Sequence, residues 1–270
     1  MGIANPLHVL TRRQIALISG LLKEKRIRDQ EGTFILEGAK FCCDLIRSNP
    51  QAIRSLILSP RYLRQEDSIR REARLKLAAR QFSCSDALFE KLSDVETHQG
   101  VLAVVRIPQW EEDRLLGQAR VLGVYGDRLR DPSNVGVIVR TAAALNLTGV
   151  WLSADSADAY APKAVRASAG AVSGFPIFRG APAQVFAKYD CALYAAVVPA
   201  PESVSLRNIQ NIPRRLVLAV GNEGEGLSDD VIALSTVQYA IPLSNDVESL
   251  NVAATAAISM FHMKGLPTES

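Results

Sequence analysis

Arg140 sits in a stretch that leaves a guanidinium little reason to be there. Its neighbours are Val137, Ile138, Val139, Ala142, Ala143 and Ala144. A helix apolar nearly all round is predicted to be buried, and a buried cation needs an ion-pair partner or an anionic substrate. The same stretch opens with Asp131-Pro132-Ser133-Asn134-Val135-Gly136. Pro132 presets the entering turn, and Ser133 or Asn134 could cap free N–H groups, so Asn134 is either a cap or a polar group aimed at a site. A second segment, Gly221-Asn222-Glu223-Gly224-Glu225-Gly226-Leu227, carries carboxylates in a loop whose three glycines allow main chain to approach a ligand closely. It is neither a Walker A loop nor a dinucleotide fingerprint, because the Gly-Lys-Ser/Thr ending and the glycine spacing are missing. A third segment runs from Ile241-Pro242 to Glu248-Ser249-Leu250-Asn251-Val252 and opens the last helix. Free N–H groups at that helix start suit a polar ligand, and Ser249 is either an N-cap or a site hydroxyl.

Each segment follows an apolar run that reads as a buried strand. The runs are 121–126, 149–153, 193–198, 216–220 and 238–241. They are continuous rather than alternating, as in parallel strands covered on both faces. Helices are predicted between them at 134–146, 162–171, 228–235 and 249–264. Ligands of open α/β sheets bind beyond the carboxyl ends of the strands, so the three polar segments can meet at one site.

The N-terminal part is a smaller α/β unit. Residues 12–28 read as a basic amphipathic helix with Leu17, Leu21 and Leu22 on its apolar stripe. Strands are expected at 33–36, 53–58 and 100–106, with helices at 39–47 and through the arginine-rich stretch 61–80. The polar, acidic stretch from Pro108 to Gly117 lacks periodicity and reads as a linker. The expected domains are therefore residues 1–108, a linker at 109–117, and residues 118–270.

Hydrophobic content of 48% and charged content of 22% fit a globular protein. No apolar run has membrane-spanning length and no signal pattern opens the chain, so a cytoplasmic protein without a membrane partner is expected. Net charge is +3, divided as +8 over residues 1–80 and −5 over the remainder. A basic first third suggests a polyanionic partner, while a solvated charged face is the plainer alternative. The four cysteines (Cys42, Cys43, Cys84, Cys191) form no CxxC pair and read as buried reduced thiols. The three histidines are scattered, and no metal site is inferred.

Taken together, the segments DPSNVGVIVRTA, GNEGEGL and IPLSNDVESLNVAATAAI resemble, in order and spacing, the SpoU/TrmH-type family of RNA ribose 2′-O-methyltransferases of the SPOUT superfamily. Pro162 to Gly170, Glu31-Gly32 through Glu37-Gly38, and Glu96-Thr97-His98-Gln99-Gly100 are also similar to that family. Two positions depart from it: Asn245 stands where the family usually has Gly, and Ala253 where it usually has Ser.

The resemblance implies an α/β fold: a C-terminal parallel-sheet SPOUT domain with a trefoil knot, plus a smaller N-terminal ribosomal-protein-like RNA-binding domain. It implies S-adenosylmethionine held by Val197, Gly221, Asn222, Ile241 and Leu250. It implies catalysis by Asn134, Arg140, Glu223, Ser249 and Asn251 at a site formed across a homodimer. The substrate implied is RNA, ribosomal RNA foremost, and no metal is required. Since guanidinium stays protonated in proteins, Arg140 is expected to bind the adjacent phosphate and stabilise the developing oxyanion, with the phosphate or Glu223 taking the proton. Three other readings are carried: a transfer-RNA ribose methyltransferase, a non-catalytic RNA-binding or ribosome-assembly factor on the same fold, and a resistance enzyme that protects the ribosome from an antibiotic by the same chemistry on a different nucleotide.

Overall fold

The computed structural model describes residues 7–95, 97–244 and 248–269. It divides into two compact units, one of residues 1–108 with 160–174, the other of residues 109–159 with 175–270.

In the first unit the elements run β1 (Leu7–Val9), α1 (Arg12–Lys23), α2 (Lys25–Glu31), β2 (Thr33–Glu37), α3 (Ala39–Ser48), β3 (Ile53–Leu58), α4 (Pro60–Gln65), α5 (Ser68–Leu75), β4 (Arg80–Ser83), α6 (Asp86–Leu92) and β5 (Val101–Arg106). The mixed sheet has the order β1-β4-β3-β5-β2. Its core joins Ile18 and Leu21 of α1 to Ile35, Ile57, Phe82, Leu102 and Val104 of the sheet. The helix expected at 12–28 is broken at Glu24, which is extended at φ −120° and ψ 118°. The helical stretch expected at 61–80 is two helices and a strand. Glu66 and Asp67 are extended between α4 and α5, and the Asp67 side chain caps the Arg70 N–H. Arg74, buried, binds Glu66 through Nε and Nη2 and donates Nη1 to Gln81 Oε1 at 3.0 Å. Helical spacing alone cannot reveal such a turn, because the arginine that locks it belongs to the same periodic pattern.

In the second unit the elements are α7 (Glu112–Leu116), β6 (Val121–Gly126), α8 (Pro132–Ala144) and β7 (Gly149–Leu152). The chain then passes through α9 (Pro162–Ala167), which clusters with the first unit. It returns for β8 (Ile177–Arg179), α10 (Val185–Lys188), β9 (Ala192–Ala196), β10 (Val204–Ser205), β11 (Arg215–Val220), α11 (Asp229–Leu234), β12 (Val237–Ala240) and α12 (Val252–Lys264). Seven parallel strands take the order β10-β12-β9-β11-β6-β7-β8. The central strand β11 is the apolar run Leu216 to Val220, buried throughout. Tyr125, Trp151, Phe186, Leu193 and Val217 share one core.

Residues 109–117 hold a helix where a linker is expected. Leu116 is fully buried in the second unit's core, and Glu112 Oε1 accepts from Trp151 Nε1 at 2.8 Å. One anchored leucine and one carboxylate leave no periodicity to read. Residues 160–174, expected in the C-terminal domain, cluster instead with the N-terminal unit. Tyr160 lies 5.1 Å from the Phe34 ring, and Arg166 pairs with Asp94. All four cysteines are free and buried, and among the described residues no helix is long and apolar enough to cross a membrane.

Candidate functional site

Four connections leave the carboxyl ends of neighbouring strands β6, β9, β11 and β12, as the buried apolar runs require. The loop after β11 is closed by paired main-chain bonds, Asn222 N–H to Gly226 O at 2.9 Å and Gly226 N–H to Asn222 O at 3.0 Å. A Cβ on Gly221 would fall 2.3 Å from Gly226 C and from Leu227 N, so only glycine permits this crossing. The Asn222 side chain is spent on the loop itself. Its Oδ1 accepts from the N–H groups of Gly224 (2.8 Å) and Glu225 (3.0 Å), and its Nδ2 donates to Arg128 O (2.9 Å). With its main-chain N–H and C=O also engaged by Gly226, Asn222 serves the cavity by fixing the shape of the loop.

Three residues from the three separated segments form one hydrogen-bonded chain. Asn251 Nδ2 donates to Asn134 Oδ1 at 3.1 Å, and Asn134 Nδ2 donates to Glu223 Oε1 at 2.7 Å. Glu223 Oε2 also accepts from the Arg130 N–H at 3.3 Å. Asn134 is buried inside the first turn of α8 and caps nothing. The cap is Asp131, which accepts from the Ser133 N–H. Asn251, not Ser249, caps α12, its Oδ1 accepting from Ala253 and Ala254 N–H. That helix begins at Val252, three residues later than expected, because the preceding residues form the cavity wall instead. At Ala253 the missing hydroxyl leaves the main-chain cap intact. Asn245 and Glu96 lie outside the described residues.

A cavity of about 620 Å³ opens beside this chain. Val197, Gly221, Asn222, Ile241 and Leu250, the residues expected to hold the cofactor, all line it, as do Glu223, Ser249 and Asn251. Val198, Leu227, Ile232 and Leu243 add apolar wall, while Glu223, Glu225 and Glu248 supply carboxylates. Among the described residues, no lysine, arginine or histidine lines the cavity. Apolar surface for a base, main-chain groups for polar edges and negative charge for a cation fit S-adenosylmethionine. The reading from sequence missed Asp127 and Arg128. Asp127, buried, accepts from Ser228 N–H at 2.8 Å, and Arg128 binds Glu225 at 2.7 Å, pinning the glycine loop to the turn after β6. Only their proximity to β6 could have marked them.

Arg140 is not where its neighbours suggested. It is exposed, outside the cavity lining, and has no hydrogen bond or ion pair among the described residues. It lies six residues beyond Asn134, about 9 Å along α8 and on another face. α8 packs against α12, and the two present exposed stripes: Val137, Arg140 and Ala144 on one, Ala254, Ile258 and Phe261 on the other. Val137 is 38%, Ile258 42% and Phe261 74% exposed. The helix is apolar all round because it is covered by the sheet on one side and offers an uncovered apolar face on the other.

Burial raises the affinity of Glu223 for a proton. The hydrogen bonds from Asn134 and from the N–H groups of Glu223, Arg130 and Asp131 outweigh it and hold the carboxyl below the ordinary 4.5. A depressed folded value means that the contribution to stability is complete above the unfolded value and disappears as pH falls through the folded one. The melting difference between wild type and Glu223→Gln is therefore expected to be constant near neutrality and to shrink below pH 4.5. Its size is under about 1 kcal/mol because solvent screens the group. A difference that persisted unchanged into strong acid would contradict this.

The profile of the SpoU rRNA Methylase family matches residues 122–261, and that of the MRM3-like substrate binding domain matches residues 18–103. The 23S rRNA (guanosine(2553)-2'-O)-methyltransferase RlmP of Bacillus subtilis (strain 168) is 29% identical over 249 residues, covering 90% of this chain and 93% of its own. The SpoU methyltransferase AviRb from Streptomyces viridochromogenes, solved with the cofactor AdoMet, superimposes with a TM-score of 0.80 at 25% identity, over 93% of this chain and 97% of that one. The AdoMet-bound rRNA methyltransferase from Sinorhizobium meliloti gives 0.78 at 25% identity, over 95% of both chains.

Proposed function

The chain belongs to the SpoU rRNA methylase family, and from that premise we propose that it methylates a ribose 2′-oxygen of ribosomal RNA, with Asn134, Glu223 and Asn251 as the frame of the site and Arg140 as its cation. It is an S-adenosylmethionine-dependent RNA 2′-O-methyltransferase. The observation that carries the assignment of roles is the Asn251–Asn134–Glu223 chain, which ties three distant segments together at the edge of one cavity. Ribosomal RNA is favoured over transfer RNA by the 23S rRNA activity named for the Bacillus subtilis relative and by the match to a substrate-binding domain. The same intact frame favours an enzyme over a non-catalytic assembly factor.

The cofactor supplies a methyl group on a cationic sulfonium, open to in-line displacement. Main chain at Gly221, Ile241 and Leu250 would hold it, with Val197 against its apolar surface. Asn251 and Ser249, which line the cavity, orient the ribose, while Asn134, buried behind the lining, holds Asn251 and Glu223 in place. Glu223 stays ionised at neutral pH with both oxygens already accepting hydrogen bonds. It therefore serves as a fixed anion better than as a base, whose ideal affinity lies near the operating pH. Neither Glu223 nor the neighbouring RNA phosphate need be a strong base: as the methyl bonds to the oxygen the hydroxyl proton becomes strongly acidic, and one of these anions takes it.

A cavity walled by carboxylates repels that phosphate, so a cation must come from elsewhere. Arg140 stands alone on an uncovered apolar face, which a second copy of the chain covers. In the homodimer each Arg140 reaches a shared site, binds the phosphate and stabilises the developing alkoxide. A trefoil knot in the C-terminal half is part of the same reading. Free buried thiols suit a cytoplasmic location. Ribose-methylation mapping of ribosomal RNA from cells with and without the gene tests the activity. One or a few 2′-O-methyl marks are expected to vanish in its absence. An unchanged ribosomal map with a lost mark on transfer RNA would transfer the assignment to that substrate.

A further inference from the structure

Two regions of the first unit are rich in cations, and they are not equivalent. Four of the six cations of the α4–α5 hairpin are paired: Arg64 faces Asp86 at 3.7 Å, Arg70 faces Asp67 at 3.3 Å, Lys76 faces Glu72 at 2.6 Å, and Arg74 is buried on Glu66, while Arg61 and Arg71, exposed and without an ion pair among the described residues, stand ten residues apart rather than clustered. The bend between α1 and α2 is different. Lys23, Lys25 and Arg26 are exposed within four residues, and Glu24 is the single carboxylate in residues 12–28. Lys23 and Lys25 have no ion pair among the described residues, and Arg26 meets only Glu24, at 3.7 Å with both side chains mostly exposed.

The bend is also held rigid by a device that a merely solvated charge run does not need. Arg28, 4% exposed, reaches back from α2 and donates Nη1 to Leu21 O at 2.6 Å, satisfying a carbonyl in the last turn of α1. Ile27 packs its side chain 3.2 Å from where a Cβ on Gly20 would lie, so the two helices meet closely there. A buried guanidinium thus fixes the angle at which Lys23, Lys25 and the loosely paired Arg26 are displayed. Cations already paired must give up a partner to bind a phosphate, while unpaired ones release only counterions.

We propose that the α1–α2 bend, through Lys23, Lys25 and Arg26, is the principal phosphate-binding surface by which this chain grips RNA, with Arg28 as its positioning residue. This rests on the assignment of the chain as an RNA methyltransferase and adds which face meets the substrate. The contact is to backbone phosphates, so it contributes affinity without reading sequence.

The test uses the full-length protein and an unmethylated ribosomal RNA transcript, with affinity measured by fluorescence anisotropy from 0.05 to 0.5 M salt. The Lys23→Gln/Lys25→Gln/Arg26→Gln variant is expected to lower the slope of log affinity against log salt by about 2 to 3, and affinity at 0.1 M by roughly 100-fold. The Arg64→Gln/Arg70→Gln/Lys76→Gln variant is expected to change both far less. Calorimetric S-adenosylmethionine binding should be the same for all three proteins, which keeps folding under control. Wild type that binds RNA with a slope the first variant leaves unaltered overturns the proposal and leaves the enzyme assignment standing. Wild type that does not bind the transcript at all overturns both. Unchanged RNA binding with lost retention on anionic phospholipid vesicles would assign the bend to a membrane surface and overturn the proposal too.

Discussion

Arg140→Ala is expected to bind S-adenosylmethionine as wild type does and to lose methyl transfer by roughly 10²–10³-fold in kcat. The two halves of this result have separate causes. Arg140 is outside the cavity, and nothing in the lining hydrogen-bonds to it, so calorimetry of cofactor binding should not change. Among the described residues the cavity is lined by three carboxylates and no cationic side chain, so removal of the arginine leaves the phosphate and the developing oxyanion without a cationic side chain. Arg140→Lys keeps the charge but not the planar two-pronged donor, and should recover only part of the rate. A shared site adds a stricter expectation. Arg140→Ala and Asn251→Ala, each inactive alone, should regain activity when co-expressed, because a mixed dimer holds one site with both residues intact. Full activity in Arg140→Ala, or no recovery from mixing at any ratio, would remove the arginine from the proposed role.

The position of Arg140 also marks a limit of reading a sequence. An apolar helix signals that its faces are covered, but not by what. Val137 and Ala144 read as core residues, yet they face away from the sheet, and the same composition serves a core and an uncovered face. By contrast, the central parallel sheet was legible because Leu216 to Val220 and Val121 to Gly126 are continuous apolar runs. Asn134, Glu223 and Asn251 stood out for a related reason: each follows such a run. Their mutual hydrogen bonds were not legible, since a side-chain contact across 89 or 117 residues leaves no periodic trace. Short edge elements such as Leu7–Val9 and Val204–Ser205 were missed because two or three residues carry no pattern. The turn at Glu66–Asp67 was missed because a buried Arg74–Glu66 pair looks, in sequence, like one more charged helix.

Gly221→Ala is the substitution that should do the most harm for the fewest atoms. The added methyl would sit 2.3 Å from Gly226 C and Leu227 N and 2.4 Å from Gly226 O. These are main-chain atoms, already fixed by the two Asn222–Gly226 bonds and by Ser228 N–H on Asp127. Overpacking costs about 1–3 kcal/mol even where side chains can move aside, and main chain gives less. The loop must therefore open, and the cavity wall running from Val220 to Leu227 opens with it. Glu223 is carried on the same loop, so the Asn134–Glu223 bond should be lost as well. Cofactor affinity is expected to fall by roughly 10–100-fold. Gly224→Ala is the control, since its methyl meets only Asn222 Oδ1, at 3.6 Å. It should bind as wild type does. Calorimetry on both variants, with melting temperatures to show that each is folded, separates loop shape from global stability. Wild-type affinity in Gly221→Ala would mean that the crossing of these two strands of the loop does not shape the cofactor wall.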